Sequence, residues 1–393
     1  MTRVRVVLAA CVVVSAWLPA VGIAHATAPV YDVTLLKAGP IEVTASHGAS
    51  LATVAVQNTI SAGGDDTCAL VGEGSGRCWG SNSRYAAQGM LGNGTTTDSS
   101  VPVAVTGVTG AVAISVGDIH SCAVIKDGTA RCWGDNYAGE LGTGAWGGPQ
   151  LTPVTVTDLR SAVAITSGAN HTCALIRDGT ARCWGSSYFG QLGDGHSYDN
   201  YPSPRKVVGL TRAVAISAGG DDTCALLDNR TVSCWGKGLG STPAVISGVT
   251  DALAIAVSDP LACARLADGT VSCWENGWGT APPAQPVKIA GLSGVTAIAV
   301  GAVNGCAVIS DGAARCWGSN GWGQLGDGTT TDSSTPVTVS GLSRAVAITT
   351  DGTHTCARLR DASLRCWGLN SRGQLGDGTT IDRPVPVAVI GFP

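Results

Sequence analysis

The chain has 393 residues, 55 of them Gly, with 13% charged residues and only two Phe and two Met. That length holds one large domain or a few small ones, and the abundance of Gly, Val, Ala and Thr favours short strands and tight turns over helices. A formal charge of −4 without a Lys/Arg cluster argues against nucleic acid as the main partner, because phosphate binding needs a cationic surface.

Residues 1–26 read as an export signal. Arg3 and Arg5 lead an apolar stretch over 6–23. Ala24 and Ala26 then offer small residues at the −3 and −1 positions of a cleavage site. Ser15, Pro19 and Gly22 interrupt the apolar run, which disfavours a membrane anchor. Leu8 to Cys11 has the look of a lipoprotein box, but too few apolar residues precede it. Cleavage after Ala26 takes the formal charge from −4 to −6 by removing Arg3 and Arg5. A secreted or extracytoplasmic chain without a membrane span is the expectation. Residues 27–50 form a separate segment, in which "YDVTLL" and "IEVTAS" read as strands. One of these is expected to add to the last sheet of the array that follows, beside "VPVAVIG" from Val385, and so to close a ring.

Fourteen cysteines remain beyond Cys11, in seven pairs of constant separation: Cys68 with Cys78, Cys122 with Cys132, Cys173 with Cys183, Cys224 with Cys234, Cys263 with Cys273, Cys306 with Cys316 and Cys356 with Cys366. Paired cysteines in an exported chain form disulfides. If Lys126-Asp127-Gly128 is a three-residue hairpin loop with Gly128 left-handed, Ile125 pairs with Thr129. Counting outward then sets Cys122 directly opposite Cys132, within disulfide reach. Trp133, one residue on, points to the other face. Zinc is disfavoured, since structural zinc pairs use two to four intervening residues.

The first cysteines step along the chain by 54, 51, 51, 39, 43 and 50 residues, a period that signals a solenoid or a propeller. Each unit over 51–393 shows four strand signals. In the unit from Ala111 these are "AVAISVG", "HSCAVI", "TARCWG" and a Pro-led strand such as "TPVTVTD". Four strands per unit and seven units predict an all-β, seven-bladed β-propeller. A Gly-x-Leu-Gly link follows the third strand at Gly89, Gly139, Gly190, Gly323 and Gly373, its Leu expected to pack between blades. The fourth and fifth units lack it.

These residues carry a resemblance. "GQLGDGTTTDSSTPVTVSGL", the recurring "RCWG" and the seven Trp after second cysteines (Trp79, Trp133, Trp184, Trp235, Trp274, Trp317, Trp367) resemble the repeat of the regulator of chromosome condensation family, from about Leu51 onward. The paired cysteines depart from the eukaryotic founder and look like an adaptation to an oxidising compartment.

No catalytic, metal or cofactor set emerges. His120, His171 and His354 stand two residues before a first cysteine, where the other units place Asp66, Asp222, Leu261 and Asn304. A broken ring spread over seven blades suits a structural His better than metal ligands. "DGTTTD" and "DGTTID" read as turns rather than calcium loops. No nucleophile elbow or phosphate loop is present. The loops before the first cysteines carry Asp65, Asp66, Asp118, Asp221, Asp222, Asp259 and Asp351, which are expected to line one rim and steer a basic partner.

The expected function is a secreted, non-enzymatic scaffold or inhibitor-like module that binds a protein. The resemblance extends to exported inhibitors that cap β-lactamases with aromatics from the loops before their second strands, but here those loops hold Asp, Asn and Ile. A carbohydrate- or cell-wall-binding lectin is the alternative, with Trp146, Trp278 and Trp322 as stacking candidates, although packing between blades is the expected place for them. Guanine nucleotide exchange, the founder's activity, ranks last for an exported chain without a wedge-like insertion.

Overall fold

The computed structural model describes residues 59–392 apart from 85–86 and 277–283, together with two short strands, Tyr31–Val33 and Val43–Ala45. The expected signal over 1–26 lies outside the described residues. The chain divides into two units, Met1–Val56 and Gln57–Pro393. In the first, Tyr31–Val33 pairs antiparallel with Val43–Ala45, Tyr31 opposite Ala45. The ring-closing strand expected from 27–50 does not appear among the described residues. The sheet that contains Val385 is built from Ala345–Thr350, His354–Leu359, Leu364–Gly368 and Arg383–Ala388, all within the last repeat. The two N-terminal strands pair with each other instead.

The second unit is a seven-bladed β-propeller of four-stranded antiparallel blades. We call the strands of each blade a to d in chain order. In blade two they are Ala111–Val116, His120–Ile125, Ala130–Gly134 and Gln150–Thr155. The a strands of the other blades are Ile60–Gly63, Ala162–Ser167, Ala213–Gly219, Ala252–Val257, Val295–Val300 and Ala345–Thr350. Each lies beside the a strands of both neighbouring blades, and Ala345–Thr350 lies beside Ile60–Gly63. The a strands therefore encircle the axis, and small side chains suit them because the blades converge there.

The b–c hairpin follows the register that its loop imposes. Gly128 is left-handed at φ +83°, and the Ile125 N–H donates to the Thr129 carbonyl at 2.8 Å. Two residues further out, Ala123 opposes Arg131, and Cys122 then opposes Cys132 at a non-hydrogen-bonded position, where side chains come closest. The other six pairs oppose each other in the same register. Seven disulfides close within their own hairpins. Cys68 is bonded to Cys78, Cys122 to Cys132, Cys173 to Cys183 and Cys224 to Cys234. Cys263 is bonded to Cys273, Cys306 to Cys316 and Cys356 to Cys366. The Cα–Cα distances are all 4.0–4.1 Å, as direct opposition across a hairpin requires.

The two faces of a hairpin serve different junctions. Cys122 and Cys132 share an apolar cluster with Trp184 of blade three and with Leu141 of the blade-two link. The pairing of a disulfide with the next blade's Trp recurs at every junction, from Cys68 and Cys78 with Trp133 to Cys356 and Cys366 with Trp79, and the link Leu joins it at all but the junctions that follow blades four and five. Leu91, Leu141, Leu192, Leu325 and Leu375 are fully buried, as their place in the link predicts, and each such side chain stabilises its junction by about 1.5–3 kcal/mol. Gly142, at φ +66°, must be glycine twice over: a Cβ there would stand 2.8 Å from the Trp184 Nε1.

Closure thus comes from repeated side-chain junctions. At the axis a hydroxyl on one a strand accepts a backbone N–H from the next. Ser61 takes Val116, Ser115 takes Ser167, Thr166 takes Ala218, Ser217 takes Val257, and Thr349 of blade seven takes Ala62 of blade one. Phe392, near the chain end, packs its ring 5.7 Å from that of Trp79. Blades five and six hold Ala256 and Ala299 at the hydroxyl position, so neither offers such a clip to the blade that follows it.

Candidate functional site

One face of the ring carries the a–b loops and the c–d links; the b–c hairpins and d–a connections form the other. On the first face each link is stitched to the next blade. The indole N–H of Trp184 donates to the Glu140 carbonyl at 2.7 Å, and Trp133, Trp235, Trp367 and Trp79 use Met90, Gln191, Gln324 and Gln374 in the same way. Blade four lacks the link, and Trp274 Nε1 of blade five is buried with no partner. Trp317, beyond the shortened link of blade five, is the least buried of the seven.

The three histidines belong to this stitching. His120 Nε2 lies 2.7 Å from Thr172 Oγ1 of the next blade, and that hydroxyl donates its only proton to the Glu140 carbonyl. The ring must therefore donate from Nε2. His171 with Thr223, and His354 with Thr67, repeat the relay across their own junctions. Burial lowers the pKa of His120 and of His171 to about 3, which keeps both rings neutral. Leu261 takes the His position in blade five, and Gly305 takes the Thr position opposite in blade six, where Trp317 fills the space that a Cβ would need. At that junction the polar partner is missing along with the polar donor.

The acidic rim is only partly a rim. Asp118 is exposed, and Asp65, Asp221 and Asp259 are half-buried. Asp66 and Asp222 are instead buried, because they occupy the inward-facing position that His takes elsewhere. Asp351 is also turned inward: it accepts the Thr353 and His354 N–H groups and lies 3.2 Å from His354 Nδ1. Burial above all, with Asp259 and Asp221 adding to it, pushes the Asp222 carboxyl up to about 8 against the pull of the Asn276 amide. Burial raises the Asp221 carboxyl, and Asp259 of blade five and Asp118 of blade two add to it against the pull of Lys237. Lys237 sits among them, 2.9 Å from Asp259.

The DGTTTD loop is closed by its own acids. Asn320 Nδ2 donates to Asp327 and to the Thr329 carbonyl, while Asp332 accepts the Asn320 N–H at 2.7 Å.

Among the described residues the most exposed aromatic surface lies on the links of blades two and three. Tyr198 is 76% exposed and Tyr188 55%. Their rings meet edge to face at 5.1 Å, and Phe189 meets Tyr188 at 5.0 Å. Lys237 lies over Phe189, and Arg205, paired with Asp194, lies over Tyr201. Tyr198 is held left-handed at φ +66°, an unfavourable backbone for a bulky residue, with its N–H on the Ser187 carbonyl at 3.0 Å. Tyr137 and Trp146, 59% and 61% exposed, stand on the neighbouring link, which is tied to blade three by the Gly144 N–H on the Pro202 carbonyl. Trp146 and Trp322 were expected between blades, yet both face solvent, because the buried indole position at each junction is already taken by the Trp of the repeat. Trp278 lies outside the described residues. The loops before the b strands pointed away from an aromatic surface; the links supply one. A signal for it was present in composition, since four of the six Tyr and one of the two Phe fall within 137–201.

Among the described residues no group of three or more His, Cys, Asp or Glu could hold a metal ion, and no helix is long and apolar enough to cross a membrane. Seven disulfides fit an extracellular setting.

Similarity to known proteins follows the repeat. The human E3 ubiquitin-protein ligase HERC2 is 29% identical over 184 residues, covering 45% of this chain and 4% of HERC2. The ultraviolet-B receptor UVR8 of Arabidopsis thaliana is 34% identical over 138 residues, covering 33% of this chain and 31% of UVR8. The match thus spans less than a third of either relative. Among solved structures, Prp20p of Saccharomyces cerevisiae shares the fold at 18% identity with a TM-score of 0.68, over 80% of this chain and 85% of that one. Human WBSCR16 does so at 21% identity with a TM-score of 0.65, over 74% and 85%. Residues 31–392 match the RCC1-like domain, and with nearly the whole chain inside that match, this protein belongs to the RCC1-like family.

Proposed function

We propose that this chain is an exported protein-binding module that engages its partner through the link face of blades two to four. One observation carries the reading: Tyr188, Phe189 and Tyr198 form an exposed aromatic cluster, flanked by Tyr137 and Trp146, and one of its members is kept in a strained backbone conformation. Large, rigid aromatics of this kind anchor protein interfaces at low entropic cost. Asp221, which accepts from Gln191 of the blade-three link, and Asp118, which acts on Asp221, favour a partner with complementary basic groups. The solved Prp20p structure is described together with its binding to Gsp1p and histones, which agrees with a propeller used as a protein-binding surface.

Glycan binding is the second reading, supported by the exposed indoles of Trp146 and Trp322. They stand on blades two and six, so they do not offer one continuous stacking platform.

The test is affinity capture from the native culture fluid with the natural chain and with a double variant, Tyr188→Ser with Tyr198→Ser, of equal thermal stability. Loss of a specific protein in the variant is expected. Equal capture by both chains, or retention of a glycan and no protein, refutes the reading.

A further inference from the structure

The blade-two link departs from its sisters in chemistry at two buried positions. In the links of blades three, six and seven the residue after the first Gly is Gln191, Gln324 or Gln374. Its Oε1 accepts the N–H two residues earlier: Phe189 at 2.8 Å, Trp322 at 2.9 Å and Arg372 at 2.9 Å. In two of them Nε2 donates to the next blade, Gln191 to Asp221 and Gln324 to the Gly352 carbonyl, whereas Gln374 Nε2 is buried without a partner. Blade two places Glu140 there. Its Oε2 accepts the Ala138 N–H at 3.0 Å, the role that Oε1 plays in the glutamines. The other carboxyl oxygen stands where the sister links hold an amide NH₂. A carboxylate has no proton to give; a carboxylic acid has one.

A second substitution accompanies the first. Asp135 stands where blades one, three and six have Ser81, Ser186 and Ser319. It is buried, with Oδ1 unpartnered, and its carboxylate faces the N–H groups of Tyr137 and Asn136. Two buried carboxyl groups in one link cannot both ionise cheaply. Burial, with the Asp135 charge as a further contribution, pushes Glu140 up to about 7, and burial raises Asp135 as well. His120, the titratable group that reaches this junction from strand b, is neutral and joins it through Thr172 and the Glu140 carbonyl.

We propose that Asp135 and Glu140 form a proton-held latch beneath the blade-two link, closed while the pair keeps a proton and loosened when both ionise, so that pH governs how Tyr137 and Trp146 are presented. As regulation of the aromatic face this rests on the partner-binding reading; the latch itself does not.

Hydrogen exchange of the partner-free chain between about pH 4.5 and 8.5, read on peptides covering 135–149 and divided by intrinsic rates, tests it. In the natural chain the opening of this link rises by up to about tenfold per pH unit between the ordinary carboxyl value near 4.5 and the Glu140 transition near 7, and levels off above it. Glu140→Gln installs the residue that three sister links already hold, and it is expected to give a flat profile. Asp135→Ser removes the neighbouring charge and moves the transition to lower pH. A flat profile in the natural chain, identical profiles in the natural and Glu140→Gln chains, or an unmoved transition in Asp135→Ser overturns the latch. None of these outcomes depends on a partner, so failure here is separable from failure of the capture experiment.

Discussion

Trp184 of blade three gives its indole N–H to the backbone carbonyl of Glu140, on the link of blade two, at 2.7 Å. That bond joins two repeats 44 residues apart, and its counterparts join four more pairs, including the last blade to the first.

Trp184→Phe removes a made hydrogen bond, whereas Trp274→Phe removes a buried N–H that has no partner. The first is expected to cost about 1–2 kcal/mol, and the second to be neutral or stabilising. Urea denaturation of the two variants side by side decides it; equal losses contradict the assignment.

The junctions from blade five to six and from six to seven lack axial hydroxyls, and blades four and five lack the link. The a strands Ala252–Val257 and Val295–Val300 are therefore expected to exchange their amides sooner than Ala111–Val116. Uniform protection around the ring, measured by native-state exchange, counts against a weak sector.

His120 and His171 are neutral in the fold, with pKa values lowered to about 3, and they charge in the unfolded chain below about 6.5. Unfolding then takes up protons, so their contribution to stability is lost as pH falls from about 6.5 toward 3. The expected loss is roughly 1.4 kcal/mol per pH unit for each ring within that window. His120→Gln keeps an N–H donor and cannot titrate. Its unfolding free energy at pH 5 relative to pH 7 should fall less than that of the natural chain.

Each disulfide spans a sequence separation of 10 residues within a hairpin that forms locally. Replacing Cys122 and Cys132 together by Ser is expected to cost about 2–3 kcal/mol. Peptide mapping without reductant should recover the six other bridges unchanged. A bridge between different blades would contradict the register.

Tyr198 separates strain from function. Replacing it with Gly relieves an unfavourable φ, so thermal stability should hold or rise by up to about 1 kcal/mol while partner capture falls. A variant that loses stability and keeps capture reverses the assignment.

Much of the blade was legible in residue order because its rules are local. A three-residue loop around Asp127 fixes the pairing of Ile125 with Thr129, and every later partner in the hairpin follows by counting. The Leu of the link was readable as a junction residue for the same reason: it recurs at one place in the period. The acids were harder. Asp65 and Asp66 are neighbours in one loop, yet one is half-buried and the other buried, since strand alternation turns the second toward the next blade. The aromatic cluster had no period to betray it. Tyr188 and Tyr198 meet only because the irregular link doubles back between Ser187 and Tyr198.

Residue order alone therefore establishes a hairpin, its bridge and the number of times it is repeated, because each depends on contacts within a few residues. Which acids are hidden, which tryptophan is left without an acceptor and which tyrosines share a surface depend on the blade next door. Those contacts join residues tens to hundreds of positions apart, and they come into existence only when the ring closes with Thr349 of the last blade against Ala62 of the first.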